Sequence, residues 1–144
     1  MMPELTATAC AGIFAGAAVY INLVQQPAAA ELGTAWAVQF FRAMYARAAP
    51  IQVSLAAVGT LAAVWAWWSG SGWLWMVGAI LLGAVMPFTL LAIIPTNNRL
   101  KDPRLDASST EASDLLARWS MLHAVRSAAS TVSFLIFVAA LLRA

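Results

Sequence analysis

The fold class this sequence predicts is an all-α, integral-membrane four-helix bundle, and three observations predict it. Hydrophobic residues make up 62% of the chain and charged residues only 10%, where soluble domains carry about 25% charged residues. Four apolar stretches, at about 5–26, 51–68, 73–94 and 115–142, approach or exceed the roughly 20 residues a helix needs to cross a ~30 Å hydrocarbon core. Five tryptophans (Trp65, Trp67, Trp68, Trp73 and Trp75) crowd around a Ser-Gly-Ser-Gly turn at 69–72, as in the aromatic belt of a membrane face. The 144 residues therefore read as one transmembrane domain, 1–144. An amphipathic interfacial helix is expected between the first and second spans.

The first span is uncharged from 5 to 24, with only Glu4 charged before it. A cleaved signal peptide wants a basic leader, so this segment reads as a retained helix. Gly12 and Gly16 form a GxxxG spacing, which lets a second backbone approach closely. Asn22, Gln25, Gln26 and Pro27 end the span, with Asn22 and Gln26 one turn apart on one face. They are either interfacial residues or part of a site. Between Pro27 and Pro50, Trp36, Phe40 and Met44 recur at a four-residue step while Glu31, Arg42 and Arg47 carry charge. That pattern suits a helix lying at the interface, as an anchor or as a lid over the bundle mouth.

The second span and the 69–72 turn lead into the third, where Pro87 removes a donor, frees the carbonyl near Gly83 and predicts a kink. Pro95-Thr96-Asn97-Asn98-Arg99-Leu100 reads as a helix stop, and 101–107 as an exposed loop. Ser108 and Glu111 have capping-box spacing. A fourth helix from near Ser109 to about Leu142 would run ~50 Å at 1.5 Å per residue. It overruns the bilayer core, so Asp114 and Arg118 belong in water.

The charge balance narrows the function classes. A net charge of +2 with no basic run excludes a nucleic-acid partner. Cys10 is the only cysteine and His123 the only histidine. Disulfide, CxxC redox, thiolate-cluster and bis-His haem chemistry therefore lack their ligands. Arg42, Arg47, Arg99, Lys101, Arg104 and Arg118 all flank the first and third connections. Positive-inside bias then puts those connections in the cytoplasm and both termini outside.

The chemistry gathers on the fourth helix. At about 100° per residue, Trp119, His123, Arg126, Ser130, Ser133 and Phe137 share a sector of roughly 80°. A lipid-facing helix would not collect its polar groups this way, so the stripe faces the bundle interior. Topology brings Asn22, Gln25 and Gln26 from the first helix, and Thr96, Asn97 and Arg99 from the third, to the same level. The alternative is a polar cluster that merely locks helix ends. Against it stands Arg126, a permanent charge with no obvious carboxylate at that depth. It calls for an anionic ligand, a lipid headgroup or a cage of carbonyls.

These residues also carry a resemblance. Gly16-Ala17-Ala18-Val19-Tyr20-Ile21-Asn22-Leu23-Val24-Gln25-Gln26-Pro27, then Pro95-Thr96-Asn97-Asn98-Arg99-Leu100, then Trp119-x3-His123-x2-Arg126 resemble the anthrone oxygenase-like family of small membrane proteins. The three motifs occur in order across nearly the whole chain. The resemblance implies a four-helix membrane bundle that oxidises anthrones to anthraquinones with molecular oxygen. It marks Asn22, Pro27, Thr96, Asn97, Arg99, Trp119, His123 and Arg126 as positions of the recurrent motif.

The chemistry of such a substrate needs few groups. An anthrone carries an acidic benzylic C–H beside a ketone, and its carbanion reacts directly with oxygen. His123 has the intrinsic pKa of a base. Arg126 suits the developing negative charge, helped by the amides of Asn22 or Asn97. Trp119 suits a flat ring, and Gln26, Thr96, Arg99 and Ser130 complete the expected binding set. No resident cofactor is expected, with molecular oxygen as co-substrate. Two rivals stay open: a lipid- or small-molecule-binding bundle or accessory subunit, and a haem or metal protein using His123 as a ligand. The expected partners are the lipid bilayer and a hydrophobic small molecule, with a homo-oligomer left open.

Overall fold

In a computed structural model that describes residues 1–143, the chain forms four long antiparallel helices. They are α1 (Met2–Glu31), α2 (Thr34–Trp68), α3 (Trp73–Lys101) and α4 (Thr110–Leu141), and each is long and apolar enough to cross a membrane. The chain is a multi-pass membrane protein built as a four-helix bundle. Each helix packs against its neighbours in sequence and α1 closes the ring against α4, while α2 and α4 touch only lightly across the diagonal. Three short connections set this order. Gly33 (φ 98°) turns α1 into α2, and Gly70 (φ 89°) and Gly72 (φ 106°) turn α2 into α3. The longer α3–α4 loop is tied to α2 by Arg42, which donates to the carbonyls of Leu100 (2.9 Å) and Asp102 (3.0 Å).

Alanines and glycines line the helix contacts and large apolar side chains face outward. Ala7, Ala11, Ala18, Ala63 and Ala66 are fully buried, whereas Ile13, Leu23, Leu61, Leu91 and Leu135 are exposed. This inversion is expected where lipid solvates the outside and close backbone approach holds the inside. Gly78 shows how close that approach is, since a Cβ there would fall on the Phe137 ring. Phe137 stacks on Trp75 at 5.2 Å, and the Ser133 hydroxyl crosses to the Gly78 carbonyl at 2.8 Å. Trp75 therefore belongs to the core and not to the belt, whereas Trp65, Trp68 and Trp73 are exposed as a belt requires.

The prolines do not end the helices. α1 runs past Asn22 to Glu31 and α3 past Pro95 to Lys101, because each passes through a wide π-turn, at Ile21–Gln25 and Thr89–Ile93. The Gln26 amide bonds to the Ile21 carbonyl, and the Ile94 amide to that of Thr89, each five residues back. Pro27 and Pro95 follow directly. The extra residue widens the turn where a proline ring would otherwise strike the preceding carbonyl. Each proline then starts a fresh helical segment, where its missing N–H costs nothing. The segment expected as a separate interfacial helix is likewise continuous with the second span, with Pro50 accommodated inside α2. Of its polar positions Arg42 reaches the α3–α4 loop, whereas Gln39 and Arg47 are exposed. The α4 cap sits at Ser109, whose hydroxyl accepts from the Ala112 amide at 3.1 Å. Ser108 is not the cap, and Glu111 leaves it for Arg99.

Candidate functional site

Of the inward stripe of α4, Trp119, His123, Ser130, Ser133 and Phe137 are buried as its periodicity predicts, Arg126 is half-buried, and Ser127 is buried beside them. Its lower half meets the π-turn of α1, which carries Asn22. His123 is 1% exposed, and its Nδ1 lies 2.8 Å from the Asn22 Oδ1. The network fixes the roles of these atoms. The Asn22 amide nitrogen donates to the Ser120 carbonyl at 3.1 Å, so Oδ1 is the acceptor of the pair. Nδ1 therefore carries the proton, and in a neutral imidazole Nε2 keeps its lone pair. The Ser127 hydroxyl donates to the same Oδ1 at 2.6 Å, locking the amide from the other side. Trp119 stacks on the imidazole at 4.6 Å and receives Phe41 edge-on at 5.2 Å. The ring of His123 is thus held by hydrogen bonding at one edge and by stacking on one face.

Mostly apolar side chains from all four helices complete a chamber of about 240 Å³ against which Trp119, His123 and Arg126 lie, with Phe14, Tyr45, Gln52 and Thr89 among the other lining residues. Both π-turns contribute, Ile21 from α1 and Thr89 and Leu90 from α3. Irregular backbone at membrane depth is tolerated where it lines a cavity, as it does here. Arg126 enters the chamber from α4. Its Nη2 donates to the Gln52 Oε1 at 2.8 Å, and its guanidinium lies 5.3 Å from the centre of the Phe14 ring. Its buried Nε has no hydrogen-bond partner, and no carboxylate pairs with it among the described residues.

The structure brings together part of the set read from the sequence. Trp119, His123 and Arg126 line the chamber, and Asn22 stands directly behind His123. Gln26 lies with Asn22 on a separate cleft between α1, α2 and α4. Thr96 and Asn97 are buried at the end of α3 but do not line the chamber, and both amide atoms of Asn97 are unpartnered. Arg99 points away, to Glu111 at 2.6 and 3.0 Å and to Asp102 at 3.2 Å. Ser130 turns back on its own helix, donating to the Arg126 and Ser127 carbonyls. Gln52 and Ser127 were not anticipated. Gln52 had a signal, being the one amide inside an otherwise apolar second span. Ser127 sits four residues after His123, so the same helical spacing reveals it. Among the described residues, no three His, Cys, Asp or Glu side chains gather as a metal-binding group.

Comparison with known proteins agrees with the resemblance in the motifs. The family model described as anthrone oxygenase matches residues 41–136, more than half of the chain. The anthrone oxygenase tpcL of Aspergillus fumigatus is 41% identical over 61 residues, which cover 40% of this chain and 38% of that protein. The aligned stretch is thus well under half of either one. No solved structure matches the chain. With its four-helix membrane fold and this match over most of α2, all of α3 and most of α4, the chain belongs to the anthrone oxygenase family.

Proposed function

We propose that the chain is a membrane-embedded, cofactor-independent oxygenase that converts an anthrone-type polycyclic phenol, or a similar hydrophobic substrate, to the corresponding quinone. The observation that carries this reading is the state of His123. Asn22 fixes Nδ1 as the protonated nitrogen, leaving the Nε2 lone pair in a residue that lines an apolar chamber. A general base needs that arrangement, with one nitrogen anchored and the other facing substrate.

The reaction balances without a resident cofactor. His123 Nε2 removes one benzylic proton, and the remaining electron pair delocalises onto the ketone oxygen as a phenolate. Arg126 holds that oxygen, its charge acting strongly in an apolar, water-poor site. The carbanion passes two electrons to molecular oxygen and bonds to it, giving a hydroperoxide after protonation by the imidazolium. Loss of water from the hydroperoxide leaves the second ketone. Trp119 does not offer both faces to a substrate, because His123 covers one of them. Its part is to hold the imidazole and present an edge to the chamber. The basic residues Arg42, Arg47, Arg99, Lys101, Arg104 and Arg118 gather at the chamber end, which supports placing that end at the cytoplasmic face.

Oxygen uptake by the purified protein in lipid nanodiscs, with dithranol (a dihydroxyanthrone) as substrate, tests this. His123→Ala is expected to lower turnover by about 10²–10⁴-fold, the usual contribution of a general base. A His123→Ala protein with a wild-type melting curve and undiminished turnover would show that the base lies elsewhere.

A further inference from the structure

Gln52 is 6% exposed, and among the described residues its Oε1 is the sole side-chain acceptor for Arg126. It also borders two spaces. The inner chamber and an outer groove of about 480 Å³ between α1 and α2 share Ile21, Met44, Ala48 and Gln52 as a common wall. Gln52 is the only polar side chain of the four.

The chemical identity of this partner matters more than its distance. A carboxylate at position 52 would form a charge-assisted bond about twice as strong. It would also consume the charge of Arg126, leaving no net field in the chamber. A neutral amide accepts one N–H and removes nothing from the charge. Arg126 keeps its other guanidinium N–H groups for a ligand, since only Nη2 bonds Gln52. The Phe14 ring beneath it stabilises the cation without competing for those donors.

We propose that Gln52 is a positioning residue for Arg126: its neutral amide aims the guanidinium into the chamber while leaving the positive charge free for an anionic oxygen of the ligand. This rests on the oxygenase reading for the identity of that oxygen. The opposite design, in which Gln52 only braces two helices, predicts that a stronger bond at this point is harmless or beneficial.

The variants Gln52→Glu, Gln52→Met and Arg126→Met separate these cases. For each, kcat and KM for dithranol would be measured, with the Kd for dihydroxyanthraquinone by quenching of tryptophan fluorescence and the melting temperature. Gln52→Glu is expected to melt at or above the wild type, yet lose about 100-fold in kcat/KM, the scale of one lost oxyanion contact, and bind the quinone more weakly. Gln52→Met should fall between the two, with Arg126 charged but unaimed. Gln52→Glu with wild-type kinetics and quinone affinity, beside an impaired Arg126→Met, would overturn the role of Gln52 and leave the oxygenase reading standing. An unimpaired Arg126→Met would sink both. If the wild type binds the quinone but does not turn over dithranol, the oxygenation reading fails, and the quinone affinities alone decide for or against Gln52. Absence of both binding and turnover in the wild type would overturn both.

Discussion

The two ends of the bundle are built from the same four helices and solve opposite problems. At the end near the Ser69–Gly72 turn, Gly78 lets Phe137 lie against α3, Trp75 stacks on that ring, and buried alanines fill the remaining contacts. At the other end α4 carries Trp119, His123 and Arg126, and α1 and α3 each widen into a π-turn. The first end closes because its small residues bring backbones together. The second stays open because long polar side chains and wide turns hold them apart. Association in lipid depends on packing and on polar contacts across helices. The closed end therefore supplies cohesion, and the chamber end can keep its cavity.

The most direct way to break this contrast is to spoil the closed end alone. Gly78→Ala drives a methyl onto the Phe137 ring and should destabilise the bundle by about 1–3 kcal/mol, the usual cost of overpacking. Turnover per folded molecule at low temperature should survive, and thermal melting beside oxygen uptake would reveal both effects. At the open end, Asn22→Leu strands the His123 N–H, while the Ser127 hydroxyl keeps only the His123 carbonyl at 3.1 Å. The expected loss is about 1–2 kcal/mol for unsatisfied buried groups, together with turnover, because the imidazole is no longer held in one tautomer. Retained turnover in that variant would detach Asn22 from the chemistry.

Outside the chamber the effects shrink. Arg99 and Glu111 pair through two bonds but are 41% and 52% exposed at the side chain. Glu111→Gln should therefore move the melting temperature little, as for most surface pairs, and leave kinetics unchanged. The smallest effect concerns Asp102, whose carboxyl is held below its ordinary value of 3.8, chiefly by the hydrogen bond from Arg104. A depressed carboxylate contributes stability above its unfolded pKa and loses it as pH falls through the folded one. The melting temperatures of wild type and Asp102→Asn should differ slightly at neutral pH and converge as the pH falls through the lowered carboxyl pKa. A difference that persists in acid would assign the effect to packing.

Much of the site was legible because α4 obeys one period. The spacing from Trp119 to Phe137 predicted the buried stripe, and the isolated charge of Arg126 marked its depth. The same reading failed where local rules met tertiary relief. Pro27 and Pro95 look like stops, but a stop is only one answer to a missing N–H, and a π-turn is another. Thr96, Asn97 and Arg99 were assigned to the chamber because a helix ending at Pro95 would leave them near His123. With α3 continuing to Lys101, Arg99 is carried to the loop and the other two are buried away from the chamber. Gln52 has no periodicity to mark it, and only its being the one amide of the second span sets it apart.

The π-turn at Ile21–Gln25 also sets a rotational phase. An α-helix advances about 100° per residue, so one residue absorbed in a wide turn rotates everything after it by that angle relative to an uninterrupted helix. Deleting Leu23 would restore a regular helix and swing Gln25 and Gln26 to new faces, while Gly12 and Phe14 kept theirs. Asn22 lies at the junction between the two phases. Its contact with His123 is therefore a property of the helix's angular offset as much as of its side chain, and a single-residue deletion could take the contact apart while preserving both of the residues that make it.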